Sequence, residues 1–135
     1  MAKKRIVTYL GPNKGLNVGK DHAFAYSGPL QISTSAVEHL AFNTGEYIVV
    51  GEITVSANIK IADIANGGIT VFQIYFNGNE VLRLKVDANE EDMPTALVVP
   101  LLIPPVTAVS VTGISQYGTS AFDSCTSIIG RVHDA

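Results

Sequence analysis

Three histidines, one cysteine and one acidic run are the residues of this chain with chemistry to offer. His22, His39 and His133 lie far apart and fall into no His-x-Glu or His-Glu-x-x-His arrangement, and no Gly-x-Ser-x-Gly occurs. Neither a metal-activated water nor a nucleophile on a strand-to-helix turn is spelled out. His39 alternates with apolar neighbours and reads as a half-buried structural imidazole. Cys125 is the single cysteine. It permits no internal disulfide, leaves a Cys-cluster zinc site without ligands, and in a strand behaves as a small hydrophobe. Asp87, Asn89, Glu90, Glu91 and Asp92 gather oxygens of the kind calcium takes, but the glycine and flanking helices of a helix–loop–helix site are missing. That run reads as a solvated connection. Residues 11–21 hold Gly11, Gly15 and Gly19, yet Lys20 is followed by Asp21 rather than Ser or Thr, so no phosphate loop is formed. No metal, cofactor or catalytic set is expected, and the chain is read as a non-enzyme.

Two kinds of contact residue remain. Exposed aromatic rings stack on sugars and bases. Tyr9, Phe24, Tyr26, Tyr47, Phe72, Tyr75, Phe76, Tyr117 and Phe122 are the candidate platforms; most lie in strand alternation, and core packing is the expectation for the majority. Tyr117 and Phe122 fall in a polar stretch and are the candidate ligand-loop pair. The first twenty residues hold five basic residues and no acid, whereas the remainder holds four basic and twelve acidic. A basic arm on an acidic body meets nucleic acid or the acidic surface of a neighbour. Lys3, Lys4 and Arg5 are its candidate contacts in assembly, with nucleic acid as the second choice.

The elements that would carry these residues are strands. Apolar residues alternate, or run continuously, in short pieces bounded by Gly, Asn, Pro and Ser. The clearest element is 69–86, where Ile-Thr-Val-Phe-Gln-Ile-Tyr-Phe is followed by Asn77-Gly78 and then Asn-Glu-Val-Leu-Arg-Leu-Lys-Val. Asn-Gly suits a type I′ hairpin turn. After it, Leu82, Leu84 and Val86 share one face, with Arg83 and Lys85 on the other. The first strand is apolar on both faces and asks for cover on both. Strands are also expected at 5–10, 24–26, 30–33, 46–57 (with a bend at Gly51), 58–64, 95–103 (with Pro100 at an edge or bulge), 106–112 and 124–132. Val37–Phe42 reads as a strand or one helical turn, and 113–123 as a polar loop. The pattern predicts an all-β protein: an antiparallel β-sandwich of jelly-roll type with eight to ten short strands. Residues 1–23 form a basic N-terminal arm and Gly-rich loop, and 24–135 a single sandwich domain.

Composition says what such a domain must do with its surface. Charged residues are 16% of the chain, against about 25% in ordinary soluble domains. No run reaches the roughly 18 apolar residues of a spanning helix. The longest, Ala96–Val106, is broken by three prolines, and no apolar segment follows Met-Ala-Lys-Lys-Arg to make a secretory signal. With no membrane role expected, the apolar excess points to a protein interface.

The order of basic arm, short strands, the 69–86 hairpin, Leu97–Ile103, Pro104-Pro105 and Val106–Val111 resembles the small jelly-roll proteins of virus particles. The likeness is to head decoration (cement) proteins of tailed phages and to single-jelly-roll capsid proteins. It is a likeness of strands and turns over most of 24–132, with no site residues to carry over. It implies a non-enzymatic virion protein that forms a homo-oligomer, a trimer foremost, and sits on or in a capsid shell. The alternative is a carbohydrate- or receptor-binding sandwich, of the fibre-tip or lectin-like kind.

Overall fold

The computed structural model of the protein describes residues 15–28, 30–32, 35–57, 69–87, 95–115 and 122–134. Its organisation is followed most simply outward from Asn77-Gly78. These residues have φ of 52° and 83°, the left-handed pair that a type I′ turn requires, and they join β6 (Ile69–Phe76) to β7 (Asn79–Asp87). Moving outward, β5 (Tyr47–Ala57) pairs with β8 (Thr95–Ile103), then β4 (Val37–Asn43) with β9 (Ala108–Ser115). Last, β2 (His22–Tyr26) pairs with β10 (Phe122–Asp134). All are antiparallel, so this part of the chain is one long hairpin of four nested pairs.

Two further pairings, β10 with β5 and β9 with β6, roll that hairpin up. The result is two sheets. One has the order β1-β2-β10-β5-β8, where β1 is Asn17–Gly19, and β3 (Leu30–Ile32) also pairs with β10. The other has the order β4-β9-β6-β7. A rolled hairpin whose successive pairs alternate between two facing sheets is a jelly roll. Its ten strands fall within the expected range, and no helix occurs among the described residues.

Alternation fills the space between the sheets. Ile53, Val55 and Ala57 from β5, Ile128 from β10 and Ile103 from β8 meet Leu40, Phe72, Ile74, Val86, Val109 and Val111 from the smaller sheet in one buried core. Leu82 and Leu84 pack against it, while Arg83 and Lys85 are exposed. Each fully buried side chain of this size contributes about 1.5–3 kcal/mol. Val71, on the outer side of β6, is also shielded, but its outward neighbours Gln73 and Tyr75 are only half-buried.

Where alternation fails, a physical reason is visible. The β4–β9 register shifts between Glu38 and Leu40, a bulge that turns consecutive residues His39 and Leu40 both inward. Val37–Phe42 is therefore a strand, not a helical turn. β9 continues through Gly113 to Ser115 and β10 starts at Phe122, so the polar connection is shorter than expected. Gly113 pairs within the strand, and a Cβ there would lie 2.6 Å from His39 Cε1, so the position has no room for a side chain. Gly51 marks no break in register: it faces Gly130 across β5 and β10. A Cβ on Gly51 would come 2.5 Å from Gly130 Cα and closer still to the Ile129 carbonyl oxygen. Pro100 lies on β8, the edge of its sheet, where a missing N–H costs no ladder bond. Residues 17–23 pair within the larger sheet and bury Val18 and Ala23, so the sandwich starts ahead of the boundary expected at residue 24. The strands expected at 5–10 and 58–64 lie outside the described residues.

Candidate interaction surface

The outer face of the larger sheet is built from alternate residues of four strands. Register sets them in rows: Tyr26, Ser127, Thr54, Val98; then Phe24, Ile129, Glu52, Pro100; then His22, Arg131, Val50, Leu102. Ile129 is 65% exposed, Leu102 58%, Val98 55%, Phe24 52% and Tyr26 46%. The cause lies in the sequence. Ile128 and Ile129 are consecutive in a central strand, so when one enters the core the other must face out. Along Leu97–Ile103 the apolar run occupies both parities of β8. At the β2 side the face dips into a shallow groove of ≈ 480 Å³ lined by Phe24, Ala25, Tyr26, Ser127 and Ile129. β1 pairs with β2 only as far as Phe24, which leaves the groove open at Ala25 and Tyr26 among the described residues.

Charge on this face is sparse. Glu52 has Ile129 and Pro100 as its cross-strand neighbours. Arg131 stands diagonally from it, between His22 and Val50. No ion pair joins either to another described residue. At the margin, His22 Nδ1 lies 2.7 Å from Asp21 Oδ1. A backbone hydrogen bond at Asp21, then the nearby His22, and last Arg131 hold the Asp21 carboxyl below its ordinary value, with desolvation acting in the opposite direction.

One corner of the molecule stores strain. The β8–β9 connection carries Val106 at φ 53° and 72% exposed. A β-branched residue in the left-handed region is an outlier, at a cost of about 1–2 kcal/mol. Hydrogen bonds hold it there. The Val106 N–H donates to the Gly45 carbonyl at 2.6 Å and the Thr44 N–H to the Thr107 carbonyl at 3.0 Å. The Thr107 N–H donates to Thr44 Oγ1 at 3.0 Å, and that hydroxyl donates to the Pro104 carbonyl at 2.9 Å.

The chemistry-bearing residues of the interior are placed otherwise. His39 is fully buried, not half-buried. Its Nδ1 faces the Val37 carbonyl at 2.9 Å, an acceptor only, so Nδ1 carries a proton. Its Nε2 lies 2.7 Å from Ser124 Oγ, which also reaches the Leu30 carbonyl at 3.2 Å. The ring stands edge-on to Phe72 with centroids 5.5 Å apart. A histidine beside a serine has half the composition of a nucleophilic pair, but both are closed to solvent. Here the pair bolts β4 of one sheet to β10 of the other. Cys125 is half-buried on the outer side of β10, its Sγ 2.9 Å from Ser56 Oγ. No cluster of three or more metal-ligating side chains occurs among the described residues.

Of the residues singled out from sequence, Asn77 and Gly78 form the tip of the rolled hairpin. Phe122 opens β10, with its backbone paired to Ile32. Lys3, Lys4, Arg5, Tyr117 and residues 88–92 of the acidic run lie outside the described residues. Phe24 and Tyr26 do not belong to the core-packed majority expected of the rings and are on the surface. Two rings at i and i+2 on the second strand from an edge gave no alternation signal beyond their own parity. No protein-family model matches the sequence, and no curated protein is similar to it.

Proposed function

We propose that the protein is a non-enzymatic structural subunit that works by pressing the outer face of its larger sheet against other polypeptides. The observation that carries this reading is the row structure of that face, in which Phe24, Tyr26, Ile129, Val98, Pro100, Val50 and Leu102 surround a single acid and a single arginine. Contiguous apolar patches of this kind mark partner contacts. The setting taken from the jelly-roll resemblance is a virus particle, with the protein as a capsid decoration or coat protein in contact with a shell protein. The arm at Lys3, Lys4 and Arg5 is the second contact, to a neighbouring subunit before nucleic acid. Deleting residues 2–14 is then expected to impair assembly more than folding.

The test is light scattering combined with co-purification of particles. An assembled protein that becomes a folded monomer on Ile129→Arg, and is lost from particles, supports the reading. A wild-type chain that is monomeric at micromolar concentration and found on no particle overturns it. A second reading, as a carbohydrate-binding module, draws on the exposed Phe24 and Tyr26 rings on one face. A glycan array without a hit removes it.

A further inference from the structure

We propose that the outer face of the larger sheet is a two-fold contact with a second copy of this chain, an inference that rests on the assembly reading above and names its partner. The argument starts from four residues at the centre of the face. Ile129 pairs with Glu52, and Arg131 pairs with Val50, on the two central strands β10 and β5. They are the corners of a rectangle about 4.8 Å across the strands and about 6.8 Å along them. One diagonal joins the apolar corners Ile129 and Val50, and the other joins the charged corners Glu52 and Arg131. An axis in the plane of the face along the apolar diagonal carries each charged corner to within about 3 Å of the other's position, since the rectangle is longer than it is wide. Arg131 of each copy then stands within side-chain reach of Glu52 of the other, and Ile129 and Val50 lie on their own counterparts.

Three observations favour a second copy over an unrelated occupant. The face holds one carboxylate and one guanidinium at exchangeable positions, which is the charge pattern a self-complementary contact needs. Glu52 is flanked across the strands by Ile129 and Pro100 and has no ion-pair partner in its own chain among the described residues. Buried against an apolar surface alone it would be left unpaired, at a cost that a guanidinium from the facing copy removes. The size is also adequate. Three rows across four strands, with the shorter rows of Cys125, Ser56 and Ala96 and of His133 and Ile48, cover about 550 Å² before side-chain relief, of the order of the roughly 800 Å² per partner of a standard interface. A trimer built through this face needs two different patches to meet, whereas this pattern closes after two copies.

The experiment uses the full chain and three variants: Glu52→Arg, Arg131→Glu and the double exchange. Wild type is expected to sediment as a dimer. Each single variant sets like charges over one another twice and is expected to associate at least about tenfold more weakly, with unchanged melting. Mixing the two single variants in equal amounts restores dimer, because both contacts in the mixed pair join opposite charges. The double exchange within one chain restores it as well. Loss without rescue on mixing overturns the proposed pairing. An oligomer untouched by the charge changes but dispersed by Ile129→Arg overturns the two-fold contact and leaves the assembly reading standing. A wild-type monomer overturns the self-contact, and particle co-purification then decides the broader reading separately.

Discussion

The two outer faces of the sandwich are made by the same fold and have opposite character. On the smaller sheet the rows read Lys85, Val71, Ile114; then Arg83, Gln73, Thr112, Glu38; then Glu80, Tyr75, Ser110, Ala41. Charged or amide side chains occur in each row. A bulge opposite Ile74 and Tyr75 places Glu80 on the same side as Arg83, where the guanidinium grips the carboxylate through two hydrogen bonds of 2.7 and 3.1 Å. On the larger sheet the corresponding positions are mostly apolar, and Glu52 and Arg131 make no such pair. An antiparallel sheet that faces water alternates apolar and polar. The smaller sheet obeys that rule and the larger one breaks it, so among the described residues most of the exposed large apolar side chains lie on one surface. Low charge in a composition therefore need not mean a uniformly greasy molecule; the exposed apolar side chains can be gathered on one face.

The difference between the two faces disappears most completely when the larger sheet cannot form. Gly51→Val places a branched side chain against the Gly130 backbone at the centre of two long strands. The expected loss is about 3 kcal/mol or more, since neither backbone can retreat without parting the sheet. Denaturant melting measures it, and a midpoint equal to wild type refutes the close crossing of β5 and β10. A sharper contrast comes from the same substitution on each face. Ile129→Arg is expected to disperse the assembly while leaving the fold intact. Val81→Arg, at a residue 48% exposed on the edge of the smaller sheet, is expected to change neither. Sedimentation of both variants decides, and equal dispersal by both removes the distinction between the faces.

Much of the fold was legible because its signals are local. Asn77-Gly78 with clean alternation behind it gave the central hairpin, and Pro100 gave an edge. The sequence also carried the exposed apolar face in plain form: consecutive Ile128 and Ile129, and an apolar run covering both parities of β8. What it withheld was pairing. Only the register of β10 with β5 brings Glu52 and Arg131 to neighbouring corners, and residues seventy-nine apart give no local sign of it. His39 was hidden for a related reason. Its burial depends on a one-residue bulge, on the space left by Gly113 and on Ser124 from the opposite sheet, and none of the three is a matter of neighbours in sequence. For Phe24 and Tyr26, alternation tells that the two residues share a face but not which face is inside.

Smaller effects sharpen the contrast at the ends of the sheets. Gly78→Val strains the tip of the β6–β7 hairpin, where φ is 83°, and is expected to cost about 1 kcal/mol or more. The smaller sheet bears that cost, so association through the larger sheet is expected to persist. Melting and sedimentation of the same sample test both halves of the statement, and an unchanged melting temperature contradicts the turn geometry.

The smallest effect is a pH dependence confined to the smaller sheet's polar face. The hydrogen bond from Arg83 holds the Glu80 carboxyl below its ordinary value, with the guanidinium charge acting in the same direction. A carboxylate depressed in the folded state contributes stability above its unfolded pKa, and that contribution disappears as pH falls through the lower, folded value. The pair is exposed, so the change is small and salt-sensitive. Wild type is expected to lose slightly more stability than Glu80→Gln as pH falls through the acid side of the ordinary carboxylate range, and high salt should narrow the gap. Parallel acid curves for the two proteins would show that the Glu80–Arg83 contact is not maintained in solution. The polar face would then owe its hydrated character to side-chain composition alone, not to an ion pair fixed by the bulge.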